Sequence, residues 1–137
     1  MTLYLSPHEA LIYTMITMSA VDKDLSDKEL ARIGSIVKNL PVFEDFNVEE
    51  LIKISSSCGE ALGGDDGLND VLKAIGNAIP EKLKETAYAV AAEIAVADWQ
   101  IEREEIRFLQ MLRDTLGLDK LSTAAIERGA IARHQKL

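Results

Sequence analysis

The chain has 137 residues, of which 47% are apolar and 5% aromatic, and it carries a formal net charge of −8. This length suits a single domain, residues 1–137, large enough to bury a core. The acidic balance argues against nucleic acid as a partner, because phosphate contacts need clustered lysine and arginine. The lone cysteine, Cys58, excludes an internal disulfide. No apolar run approaches the roughly 18 residues of a membrane span, so we expect a cytoplasmic protein.

Helix-start and helix-stop signals divide the chain into about seven helices. Ser6 and Ser26 are each followed three residues later by a glutamate, the pattern of a capping box. Pro41 ends the second helix, and Gly117 is placed to end the sixth in a left-handed conformation. Because alanine and leucine are abundant and β-branched residues are not clustered, these signals predict an all-α fold. The predicted helices cover about 7–21, 27–40, 48–62, 68–79, 80–98, 102–116, and 119 or 122 to 133.

One stretch of the sequence occurs twice. Residues 18–40 align with residues 94–116 at a constant offset of 76 and without a gap. Each copy contains the end of an apolar helix, an acidic turn, and a second helix that begins with a carboxylate. The repeat halves, about 6–40 and 80–117, therefore predict a helical bundle with pseudo-two-fold symmetry. The aligned residues are Met18/Ile94, Val21/Ala97, Asp22/Asp98, Leu25/Ile101, Glu29/Glu105, Leu30/Ile106, Ile33/Leu109, Ile36/Leu112 and Leu40/Leu116.

Two of the predicted helices have almost no polar face. The first is apolar nearly all round over residues 10–18, and the fifth over residues 86–97. A helix without a polar face is buried on every side. The repeat makes these two helices equivalent, so we expect them to form the central pair, with the other helices packed around them.

Three motifs flank the acidic turns. They are Ala20-Val21-Asp22 with Leu25-Ser26 and Glu29, then Ala95-Val96-Ala97-Asp98 with Ile101 and Glu105, and then Leu116-Gly117-Leu118. In this combination the chain resembles the tellurite-resistance TerB family, whose domain type also occurs in some DnaJ-like co-chaperones. The resemblance covers nearly the whole chain. It implies an all-α, seven-helix cytoplasmic domain of the stress response, with acidic residues suspected of binding metal ions. Where the family commonly has glycine after each aspartate, this chain has Lys23 and Trp99.

Carboxylates are concentrated in both interhelical turns. Hard cations take oxygen ligands, so one interpretation is a divalent cation, with calcium the first choice. Neither turn is an EF-hand, because Asp27 and Ile33 in the first turn, and Arg103 and Leu109 in the second, replace the required glycine and glutamate. The candidate metal ligands are Asp98, Glu102 and Glu105 in the second turn and Asp22, Asp24 and Glu29 in the first.

The second turn is the stronger candidate for a metal site. Glu29 is expected to close a capping box with Ser26, a role that needs no metal. In the second copy Glu102 replaces this serine, so we expect Glu105 to have no hydroxyl partner and the carboxylates to repel one another. Either a bound cation or a neighbouring arginine would offset this charge, and both interpretations remain open.

Glu93 is the one charged residue within 86–97. A buried carboxylate must be paired, protonated or bound to a ligand, so Glu93 is a candidate functional residue. Its helical neighbours four residues away are alanines, so its partner must come from another helix. A hydrogen bond to Tyr13, Thr14 or Thr17 of the first helix is the purely structural interpretation.

The sequence gives little support for an enzyme. His8 and His134 have no acidic or nucleophilic residues at a spacing typical of catalysis, and Cys58 is expected to be a small buried residue. Two hypotheses follow. The acidic turns bind a divalent cation, or the protein is a metal-free interaction module whose acidic face binds a basic or membrane-associated protein partner.

Overall fold

The computed structural model describes residues 3–21, 25–97 and 101–137. These residues form seven α-helices and no strand, which confirms the all-α prediction. Short 3-10 turns at Pro41–Phe43, Val48–Glu50 and Glu81–Leu83 lie in the connections. The helices are α1 (Pro7–Ala20), α2 (Asp27–Asn39), α3 (Leu51–Leu62), α4 (Gly67–Ala78), α5 (Lys84–Val96), α6 (Arg103–Leu116) and α7 (Lys120–Arg133).

Local signals set most helix ends. Ser6 and Ser26 cap α1 and α2 in the expected capping boxes. Gly117 ends α6 with φ 68°, and the Leu118 N–H donates to the Arg113 carbonyl at 3.1 Å, as in a Schellman motif. Asp119 caps α7, accepting a hydrogen bond from the Ser122 N–H at 2.6 Å. Two helices begin later than predicted, because a 3-10 turn precedes both α3 and α5.

The offset of 76 recurs in the helix boundaries. α1 ends at Ala20 and α5 at Val96, while α2 begins at Asp27 and α6 at Arg103. Both pairs of positions differ by 76 residues. The two copies of the repeat therefore form equivalent helix pairs, α1–α2 and α5–α6.

The two apolar helices lie at the centre of the fold, as expected. Every residue of α1 from Ala10 to Ser19 is buried, and so are most residues of α5 from Ala87 to Val96. The two helices contact each other, with α3 and α4 packed on α1 and α7 packed on α5. α6 packs on α4 and α5. Among the described residues, no helix has the length and apolarity needed to cross a membrane.

Candidate functional site

The six candidate metal ligands are only partly described. Asp22, Asp24 and Asp98 lie outside the described residues. Glu29 lies in the first turn of α2, and Glu102 and Glu105 lie at the start of α6. Within residues 3–21, 25–97 and 101–137, no three histidine, cysteine, aspartate or glutamate side chains form a group that could hold a metal ion.

Glu29 and Glu105 have the same capping role in the two copies. Glu29 Oε1 accepts a hydrogen bond from the Ser26 N–H at 3.0 Å, and Glu105 Oε1 accepts one from the Glu102 N–H at 2.9 Å. Glu105 is the more buried of the two, with 9% of its surface exposed. The absence of a serine hydroxyl at position 102 therefore does not deprive Glu105 of a capping role. The hydroxyl of Ser26 is not needed for this half of the capping box, because the acceptor is the glutamate and the donor is a backbone N–H.

Two other carboxylates at the start of α6 are directed to solvent. Glu102 and Glu104 are exposed, as are Arg103 and Arg107. Within the described part of the chain, no ion pair joins these glutamates to these arginines. Arginine neutralisation, one of the two interpretations of this turn, is thus not seen among the described residues.

Glu93 has its partners on α7 and just beyond it, and not on α1. Its Oε1 accepts hydrogen bonds from the Arg133 guanidinium, with the Nε distance at 2.8 Å, and its Oε2 lies against His134 Nε2. Its side chain is 24% exposed. The expected bond to the first helix is wrong because α7, and not α1, lies over this face of α5. The basic residues near the C-terminus were the signal in the sequence for this ion pair.

The remaining nucleophile and acid–base candidates have structural roles. His8 Nε2 lies 2.7 Å from the Val42 carbonyl oxygen, and its ring stacks on Phe43. Cys58 is fully buried beside Thr17, with its sulfur 3.7 Å from Oγ1. Burial raises the pKa of the Cys58 thiol to about 12. The thiol therefore stays protonated at neutral pH and is a poor nucleophile.

A groove lies between α5, α6 and α7, and sequence analysis did not predict it. It encloses about 300 Å³. Its rim includes two isoleucines that remain exposed, Ile101 at 39% and Ile106 at 48%. Ile101 precedes α6 and Ile106 lies within it, yet both line the same groove, and no spacing pattern in the sequence indicated this. We call this cavity the α5–α6–α7 groove; its lining residues are Tyr88, Ala92, Ala95, Val96, Ile101, Ile106, Leu109, Gln110, Arg113, Glu127 and Ile131.

Polar side chains lie at one end of the groove. The Tyr88 hydroxyl donates a hydrogen bond to Glu127 Oε2. Burial raises the pKa of Tyr88 well above its usual value, the Glu127 carboxylate raises it further, and the Arg113 charge lowers it slightly. Among the described residues, Arg113 forms one ion pair, to the exposed Asp114 at 3.6 Å. Glu127 therefore accepts the Tyr88 hydroxyl, whereas the described ion pair of Arg113 is the 3.6 Å contact with Asp114.

The fold and these sites define the class of protein, an all-α domain whose described residues form seven helices, with acidic residues between helices and an apolar groove. The sequence model of the tellurite resistance protein TerB family matches residues 8–128 of the chain. The chain belongs to this family. No curated protein and no solved structure matches it significantly.

Proposed function

We propose that the protein is a non-enzymatic docking domain of the cytoplasmic stress response, of the tellurite-resistance type, and that its acidic surface binds a basic protein partner. The observation that carries the proposal is the uneven charge. Residues 1–70 contain 13 acidic and five basic residues, whereas residues 71–137 contain ten of each. The whole net charge of −8 thus belongs to the first half of the chain.

The position of these carboxylates supports a docking role. Eight of the 13 are exposed before α3, in its last turn or after it, and are not buried in the core; they are Glu44, Asp45, Glu49, Glu50, Glu60, Asp65, Asp66 and Asp70. A patch of one sign raises the rate at which an oppositely charged surface is encountered, and it does so less at high salt. The structural roles of His8, which contacts Val42 and Phe43, and of Cys58, which is buried beside Thr17, support a non-enzymatic function.

A lysine-rich peptide is a suitable probe for this surface. We expect it to bind the wild-type protein in isothermal titration calorimetry, with affinity that falls as salt is raised. The double variant Glu49→Lys, Glu50→Lys should weaken binding, because it reverses two charges of the acidic half. The matched control is Glu81→Lys, Glu85→Lys in the neutral half. Equal loss in both double variants would mean that only the net charge matters, and would defeat the proposal of an acidic docking surface.

The second candidate function is a divalent cation bound at the turn between α5 and α6. Its support is that Glu102 and Glu104 are exposed without an arginine partner in the described chain, four and six residues after Asp98. Oxygen ligands of this kind suit calcium or magnesium.

Titration of chelator-treated protein tests the cation. Calcium, magnesium, manganese and zinc should be compared by melting temperature and by the fluorescence of Trp99, the single tryptophan. A saturable change is expected, and Asp98→Asn should weaken it more than Asp22→Asn, since Lys23 lies beside the first aspartate. The absence of any change at millimolar ion leaves the metal-free docking domain as the function.

A further inference from the structure

The α5–α6–α7 groove has a counterpart in the first half of the molecule. Its α6 wall includes Leu109 and Arg113, which the offset of 76 aligns with Ile33 and Val37 of α2. Ile33 and Val37 are buried, at 0% and 2% exposure. Leu109 and Arg113 are only half-buried. The same face of the second helix is therefore covered in one half and open in the other.

A leucine covers the face in the first half. A Cβ placed on Gly34, in the middle of this face of α2, would lie 3.6 Å from Leu51 Cδ2. Leu51 is itself 7% exposed and begins α3. The residue equivalent to Gly34 is Gln110, which lines the groove. By the same offset Leu51 aligns with Glu127 of α7, which also lines the groove and accepts a hydrogen bond from the Tyr88 hydroxyl, so no aliphatic side chain takes the aligned position.

The lengths of two connections explain the difference. Eleven residues, 40–50, join α2 to α3, and their 3-10 turns contact α2. Only three residues, 117–119, join α6 to α7. Three residues can reverse the chain direction, but they cannot also supply a side chain to lie along α6. The second half therefore leaves partly open the face of α6 around Leu109, whereas the first half buries the aligned face with its own connection.

We propose that the groove binds a short segment of a partner protein that carries a leucine-like side chain next to an acidic residue. The apolar walls, with Ile101 and Ile106 partly exposed at the rim, suit the apolar side chain. Arg113 is the charge in the groove with the weaker partner, since its one ion pair among the described residues is to the exposed Asp114 at 3.6 Å, whereas Glu127 accepts the Tyr88 hydroxyl. A carboxylate on the partner would pair with Arg113.

The segment that covers the first half has the same chemistry. Its sequence from 48 to 51 is Val-Glu-Glu-Leu, in which two glutamates precede the covering Leu51. This likeness argues for a peptide segment as the occupant. The groove is distinct from the acidic surface of residues 1–70, so the inference stands or falls separately from the proposed docking function.

A peptide with the sequence of residues 46–55, FNVEELIKIS, is the probe. Added to the nitrogen-15-labelled protein of residues 1–137, it should shift the backbone amide signals of Ile106, Leu109 and Gln110. Ile106→Asp should weaken binding by about tenfold or more, a change equivalent to about 1.4 kcal/mol. Ile52→Asp is the control, since Ile52 is 70% exposed on α3, away from the groove. This control variant should bind the peptide as the wild type does.

Variants of the peptide test the apolar and the acidic parts of the proposed recognition separately. The same peptide with Leu51→Ala, or with both glutamates changed to lysine, should bind at least severalfold more weakly. Absence of shifts with millimolar peptide, or equal binding by Ile106→Asp, would overturn the proposal. Octanoate tests a small apolar carboxylate as the occupant. If octanoate shifts these amides and the peptide does not, the groove is a small-molecule site and the proposal is wrong.

Discussion

The two halves of the molecule share their helix boundaries but bury different faces of the second helix. α2 buries Ile33 and Val37, whereas α6 buries Phe108, Leu112 and Leu116. In the repeat these last three align with Arg32, Ile36 and Leu40, none of which is buried. The buried face has thus turned by about one residue, or 100°, around the helix axis. A repeat can preserve capping and length while its neighbours change, because caps are local and burial is not.

The third helix of each half, α3 or α7, contacts its central helix through different polar side chains. In the first half, Tyr13 of α1 hydrogen-bonds Ser57 of α3 at 2.7 Å, and Thr17 lies against Cys58. In the second half, Glu93 takes the position of Thr17 and forms its ion pair with Arg133. Neutral contacts join α1 to α3, and charged contacts join α5 to α7. The same helix packing is therefore compatible with two different sets of polar contacts at these aligned positions.

The largest expected effect is a crossed pattern of stability losses at aligned positions. Leu112→Ala should lower the free energy of unfolding by about 2–5 kcal/mol, because the side chain is fully buried, and Ile36→Ala by clearly less. One turn earlier the order should invert, with Ile33→Ala costing more than Leu109→Ala. Urea denaturation of the four variants measures this. Equal losses within each aligned pair would mean that the two faces are buried alike.

An intermediate effect is expected at a fully buried alanine of the central helix α5. Ala91→Phe should destabilise by about 1–3 kcal/mol, since Ala91 is fully buried on α5 and has no room for a ring. Ala31→Phe on the exposed side of α2 is the control, with little change. Thermal unfolding followed by circular dichroism distinguishes the two. An unchanged melting curve for Ala91→Phe would place this face of α5 at the surface.

Smaller effects are expected at the two capping glutamates. Glu29→Ala and Glu105→Ala should each cost about 1 kcal/mol in metal-free protein, because each removes the acceptor of a backbone N–H at a helix start. Glu105→Ala should cost at least as much as Glu29→Ala, since its hydrogen bond is partly buried and that of Glu29 is exposed. Glu104→Ala, at an exposed position of the same turn, is the control. A gain in stability for Glu105→Ala would show that charge repulsion outweighs the cap.

A further effect, absent at neutral pH, is an alkaline pH dependence that arises in the first half. The pKa of the Cys58 thiol is about 12 in the folded protein, against 9.0 for an unperturbed cysteine. Above the unfolded pKa the unfolded state loses a proton that the folded state keeps, so stability falls as pH rises. The slope approaches, at most, about 1.4 kcal/mol per pH unit. Tyr13 and Tyr88 also have raised pKa values and add to the alkaline loss.

A comparison with Cys58→Ala isolates the thiol. Urea denaturation between about pH 8 and pH 10 should give a shallower fall of stability for the variant than for the wild type. Parallel curves would mean that Cys58 ionises equally in the folded and unfolded states, and that the thiol is not sequestered between α1 and α3.

Sequence alone determined the helices, most of their ends and the repeat that relates them. Ser26 with Glu29, Pro41 and Gly117 act through bonds and clashes within a few residues, so their effect can be predicted without the rest of the chain. The apolar character of α1 and α5 likewise placed them at the centre, because a helix without a polar face has no stable position at the surface.

The tertiary structure alone decided which surfaces remained open and which charges were paired. The partners of Glu93 lie 40 and 41 residues further along the chain, and no local pattern joins them. The groove depends on a connection of three residues where the first half has eleven, and on α6 and α7 both packing on α5. Such features arise from elements distant in sequence, whose relative positions are fixed only when the core assembles.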